Sequence, residues 1–125
     1  MRRLSVTLGL AVLLTLAAAC SAGAGGGGAT ISLGAGSFTG TTTVTIKAGE
    51  SVTFDDSSGG THRLVTGTNG QFSAAPGAPS EFSASTGLDL ASGEKKTVTF
   101  PTAGTYQITC TIHPSMQATI TVTAA

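Results

Sequence analysis

The segment Cys110-Thr111-Ile112-His113-Pro114-Ser115-Met116 sets a thiol, an imidazole and a thioether at successive i, i+3 positions. The chain holds 2 histidines, and the other, His62, lies 48 positions before Cys110. One thiolate, two imidazoles and a distant thioether are the donors of a mononuclear copper electron-transfer site. The thiolate is the form of cysteine that binds metal. Imidazoles suit copper, and a long axial thioether tunes its potential. The short stretch from Cys110 to Met116 can curl its three donors around one point, and Pro114 limits its flexibility. Taken singly, Cys110 and Met116 are ordinary core residues, and His62 an ordinary surface or core histidine. Taken together they favour a metal. Zinc is the main chemical rival, but a structural zinc site normally uses four Cys or His groups, and thioether is a poor ligand for it.

Export and cysteine count sharpen this. Residues 1–19 form a secretory signal peptide, with Arg2 and Arg3 ahead of the apolar run Leu4 to Ala18 and small residues at its end. Leu16-Ala17-Ala18-Ala19-Cys20 resembles a bacterial lipobox, which implies a lipidated Cys20 and anchoring to the outer side of the cell membrane, in the periplasm or at the cell surface. Residues 20–29 are then the lipidated cysteine and a flexible Gly/Ala-rich tether. Residues 30–125 suffice for one domain with one core. The chain has 2 cysteines in all. With Cys20 acylated, Cys110 has no partner for a disulfide in an oxidising compartment, and a metal or burial must protect it. Arg2 and Arg3 leave with the signal, so 4 of the 6 basic residues face 6 acidic ones, a formal charge of −2. There is no basic patch for nucleic acid.

The elements that must position these donors read as strands. Thr, Val and Ile dominate and no sustained helical period occurs. Ile31 and Leu33 open a strand. Val44 and Ile46 lead through the turn Ala48-Gly49-Glu50 to Val52 and Phe54. Asp55 to Thr61 is a turn-rich loop ending at His62, and His62 shares a face with Leu64. Residues 67–80 read as one long loop, while Phe82, Leu88 and Leu90 mark short edge segments. Val98 and Phe100 follow the turn Ser92-Gly93-Glu94. Tyr106, Ile108 and Cys110 point inward, with Thr105, Gln107 and Thr109 outward. Ala118, Ile120 and Val122 close the domain. About seven or eight short strands divided by Gly/Pro turns predict an all-β, antiparallel Greek-key sandwich. Alternation points His62 and Cys110 into the interior, and they are expected to face each other across the sandwich.

Counting histidines argues against an enzyme. A copper held by His62 and His113 leaves no imidazole for a second, open copper or for a general base. A one-electron carrier fits the donors. Copper storage, or delivery to an extracytoplasmic cuproenzyme, uses the same donors and the same anchor. A metal-free sandwich used for adhesion is the third reading.

The chain resembles the cupredoxins, the small blue-copper family of plastocyanin, amicyanin, pseudoazurin and azurin, over most of residues 30–123. Val44 to Phe54 is similar to the strand-turn-strand that precedes the first ligand. Gly104-Thr105-Tyr106 and the C-x2-H-x2-M run from Cys110 are similar to the second half of the site. The resemblance implies a single type 1 copper ion held by His62, Cys110 and His113 with Met116 axial. It also implies His113 as the electron port and transient redox protein partners. We expect a monomer. The chain departs from the family pattern at Arg63, where many members have Asn. It departs again at Asp55-Asp56, and residues 67–90 align with no single subfamily.

Overall fold

The fold is that of a computed structural model, which describes residues 28–125. The signal segment, Cys20 and nearly all of the tether lie outside the described residues. Ten strands form two sheets. They are β1 Ala29–Leu33, β2 Phe38–Thr39, β3 Thr43–Lys47, β4 Ser51–Asp56, β5 His62–Thr68, β6 Gln71–Phe72, β7 Leu88–Leu90, β8 Lys95–Thr99, β9 Gly104–Cys110 and β10 Gln117–Thr123. One sheet runs β2-β1-β4-β8. The other runs β3-β10-β9-β5-β6, with β7 on β5.

The expected alternation is realised. Ile31, Val52, Phe54, Ile108, Cys110 and Ile120 are fully buried, and Leu33, Val98, Tyr106, Ala118 and Val122 nearly so. Apolar side chains from both sheets therefore share one core, which drives the sheets together. Outward faces are lined by threonine and serine, and the Ser51–Thr99 and Thr53–Thr97 hydroxyl pairs bridge β4 and β8 at 2.8 Å.

The structure is an all-β sandwich, but it departs from the expectation in four respects. Two strand pairs are parallel, β1 with β4 and β3 with β10, because the chain leaves each sheet for the other after β2 and after β3 and returns beside a strand of like direction. The strands number ten, since β2 and β6 span two residues each and are too short for alternation to mark them. Residues 67–80 are not one loop. Asn69 and Gly70 have φ of 53° and 73° between the paired residues Thr68 and Gln71, a two-residue hairpin turn with both central residues left-handed. Phe82 belongs to no edge segment. It closes a 3-10 turn, Ser80–Phe82, after Pro79, which drops its ring between Phe54 and Phe100 at centroid distances of 5.5 and 5.8 Å.

Candidate metal centre

Two neighbouring strands set the site. β5 and β9 are antiparallel in one sheet, with Leu64 opposite Cys110 and Thr66 opposite Ile108. His62 begins β5 two residues beyond Leu64 on the same face. It therefore overhangs the end of β9, where the segment 111–116 leaves the sheet. The expectation that Cys110 and His62 face each other across the sandwich is thus corrected. Both come from one sheet, side by side, and the site lies at its end.

The segment after Cys110 is tied at both ends. The Thr111 N–H donates to the Arg63 carbonyl at 2.9 Å, extending the β5–β9 ladder past Cys110. The Met116 N–H donates to the His113 carbonyl at 2.9 Å, closing a turn whose second residue, Pro114, has the φ such turns require. The Met116 carbonyl accepts from the Cys110 N–H at 3.3 Å and from the Thr109 hydroxyl at 3.0 Å. Thr109, expected to face outward to solvent, is fully buried, because the β5–β6 hairpin covers it and the Gly70 N–H donates to its hydroxyl at 2.9 Å. Gly70 also lies against Pro114 so closely that a Cβ would come within 2.9 Å of the ring. Gln117 donates to Asn69 across the same junction at 2.9 Å.

These ties bring three donors together. Cys110 Sγ lies 3.8 Å from Nδ1 of His62 and 3.8 Å from Nδ1 of His113. The three ligand atoms all fall within 4.8 Å of one another, and no other His/Cys/Asp/Glu group of this kind occurs among the described residues. Donors bound at about 2.3 Å through sulfur and about 2.0–2.1 Å through nitrogen are 3.8 Å apart when they subtend about 120° at the ion. The two sulfur–nitrogen pairs therefore suit one ion, and two histidines with a cysteine are the donor pattern typical of blue copper. A structural zinc site would need a fourth Cys or His, and none joins the cluster among the described residues.

The surroundings suit a shielded ion. His62 and Cys110 are fully buried and His113 is half-buried. The two imidazole rings are 5.0 Å apart at 49°. Burial holds His62 below its ordinary pKa of 6.5; Asp56 opposes that shift and His113 adds to it. A neutral imidazole offers a lone pair to the metal, so this environment favours the binding form. Met116 is buried at the end of the same turn. Arg63, the departure from the family pattern, turns away from the site and forms a two-pronged pair with Asp89, both contacts 3.0 Å. Among the described residues, Ile112 and Phe72 are the exposed large apolar side chains, at 51% and 42%, and Pro114 is exposed beside His113.

Comparison with known proteins agrees with this geometry. Residues 30–123 match the family described as copper binding proteins, plastocyanin/azurin family. The amicyanin of Paracoccus versutus (Thiobacillus versutus) superposes with a TM-score of 0.59 at 24% identity, over 82% of this chain and 87% of that one. A reduced amicyanin variant superposes with a TM-score of 0.56 at 22% identity, over 82% and 88%. At such identity the likeness establishes the fold. No curated protein matches the chain by sequence.

Proposed function

The chain belongs to the copper-binding proteins of the plastocyanin/azurin family, and we propose that it is an extracytoplasmic one-electron carrier between protein redox partners, held to the outer side of the membrane through Cys20. The observation that carries the electron-transfer reading is the His62–Cys110–His113 cluster, whose three donor atoms lie within 4.8 Å of one another.

Bound copper supplies the Cu(I)/Cu(II) couple. The protein's residues supply the rest. Cys110 and His62 hold their donor atoms away from water on adjacent strands, so little solvent must reorganise when charge changes. The turn from His113 to Met116 is fixed to the sheet through Thr109 and to the hairpin through Gly70. A donor set this constrained favours an ion that stays in place over one that is handed on, which argues for carrying electrons and against storing or delivering copper. Both histidines are used as ligands, which leaves no imidazole for an open catalytic metal position.

Finer assignments extend this reading. Met116 would supply a thioether as the weak fourth donor that tunes the potential; its burial at the end of the ligand turn supports this. His113, the half-buried ligand, is the port through which electrons pass, flanked in sequence by the exposed apolar side chains of Ile112 and Pro114. Transient redox partners bury little area, and a small apolar surface suits them. No helix among the described residues is long and apolar enough to cross a membrane. Anchoring therefore rests on the lipobox-like sequence before Cys20 and the tether to 29.

Two substitutions test the reading. Cys110→Ser is expected to abolish the intense charge-transfer band of the Cu(II) protein while far-ultraviolet circular dichroism stays that of a β protein. Met116→Leu is expected to keep the band and shift the reduction potential, because only the axial contact is lost. An intense visible band surviving in Cys110→Ser would refute the site.

A further inference from the structure

Two buried side-chain atoms lack a hydrogen-bond partner among the described residues, and they face each other. They are Oδ2 of Asp56 and Nε2 of His62, 3.8 Å apart, with both side chains fully buried. The carboxylate is anchored on its other oxygen. Oδ1 accepts from the Ser58 hydroxyl at 3.0 Å and from the Ser58 N–H at 3.3 Å. The Asp56 main chain is held as well, its N–H donating to Glu94 and its carbonyl accepting from Gly93. The free oxygen is thus aimed at the ring by a fixed strand end. Gly60 borders the same nitrogen, and a Cβ there would come within 2.9 Å of Nε2.

Leaving a buried polar atom unpaired costs about 1–3 kcal/mol, so two such atoms set face to face require a reason. The ring supplies one. Nδ1 of His62 points at the Cys110 sulfur, so a metal there forces the ring proton onto Nε2. A short movement of ring or carboxylate then turns both orphans into one charge-assisted hydrogen bond.

We propose that Asp56 is a positioning residue for the metal: its carboxylate accepts a hydrogen bond from the Nε2–H of His62, which keeps the proton on Nε2 and Nδ1 bare for the ion, and by its buried negative charge favours Cu(II) over Cu(I). The inference rests on the copper reading above. Carboxylates that receive the remote N–H of a ligating histidine fix its tautomer and raise its basicity. The competing acceptor is the Gly34 carbonyl, which also lies beside the ring. A carbonyl would orient the imidazole as well but carries no net charge, so the two acceptors differ in what they do to the potential.

The test has a metal-free arm and a copper arm. Nitrogen-15 NMR of the copper-free full domain, at a pH where the ring is neutral, is expected to show His62 as the Nε2–H tautomer, with that preference weakened in Asp56→Asn. In the copper protein, Asp56→Asn is expected to keep the intense visible band. It should shift the Cu(I)/Cu(II) preference at least tenfold toward Cu(I), a rise of about 59 mV for one electron. Asp55→Asn removes the same charge from the next residue, whose carboxylate pairs with Lys95 at 2.9 Å near the surface, and is expected to move the potential far less. An Nδ1–H tautomer in the wild type overturns the proposal, as does an unchanged potential in Asp56→Asn or an equal shift in Asp55→Asn. Wild-type protein that takes up Cu(II) without an intense band would instead refute the copper reading, and the NMR result stands apart from it.

Discussion

Burial sets the protonation of His62 before any metal arrives. The ring is fully enclosed, and enclosure holds its pKa below 6.5 against the pull of Asp56. Once unfolded, the same histidine takes up a proton near its ordinary value. Below that value the unfolded chain therefore binds more protons than the folded one, and stability must fall as pH falls. The loss begins as pH passes down through 6.5 and stops growing below the lowered folded value. Denaturant midpoints of the copper-free protein, measured from about pH 8 to pH 5, are expected to decline over the lower part of that range. A flat profile would mean that His62 is not shielded. With copper bound the profile changes character, because protons then compete with the ion for Nδ1.

At the scale of elements, the ligand turn depends on a hairpin that contributes no ligand. The Thr109 hydroxyl joins the two, accepting from Gly70 in the β5–β6 turn and donating to Met116 in the ligand turn. Thr109→Val keeps the shape and deletes both bonds. The Met116 carbonyl retains Cys110 as donor, but the Gly70 N–H is left without its acceptor. The expected cost is about 1–3 kcal/mol, read as a lower urea midpoint with unchanged slope. Much of this scale was legible in the sequence. Inward alternation placed Ile31, Val52, Phe54, Tyr106, Ile108, Cys110 and Ile120 in the core and pointed His62 to the interior, while the spacing of the run from Cys110 to Met116 brought in His113. What escaped was the part governed by neighbours in space. Asn69-Gly70 is a strong hairpin signal that was absorbed into a longer loop. The burial of Thr109 follows from that hairpin, since alternation alone puts the residue outside. The adjacency of β5 and β9 depends on strand order, which a period of two does not encode. The orphaned Asp56 was visible only as a departure from the family pattern.

For the whole molecule, the two sheets close on a core whose aromatic members Phe54, Phe82, Phe100 and Tyr106 form a continuous chain of ring contacts with centroids 5.5–5.8 Å apart. The copper centre sits at one end of that core, and Cys110 and Met116 belong to it. Binding and folding are therefore linked. An ion bound only by the native state stabilises it in proportion to the logarithm of its concentration over Kd, about 4.1 kcal/mol at a thousandfold excess. Adding copper to the metal-free protein is expected to raise the melting temperature by several degrees or more, with the gain largely lost in Cys110→Ser. An equal gain in that variant would place the ion elsewhere.

The pairing of Leu64 with Cys110 spans nearly half the described chain and has a chemical corollary. On the proposed extracytoplasmic location, the Cys110 thiol is open to oxidants until the domain folds. Oxidation of Cys110 to a sulfenic acid or mixed disulfide would block the sulfur as a ligand, and further oxidation to the sulfinic or sulfonic acid would do so irreversibly. Closure of β5 on β9 enfolds the sulfur completely, so the race is between sheet formation and oxidation. Contacts this distant in sequence form slowly, and the yield of competent protein is set in that interval. Afterwards the sulfur is reachable only when the sheet opens, so its rate of attack by a small oxidant becomes a clock for the opening of the metal-free domain.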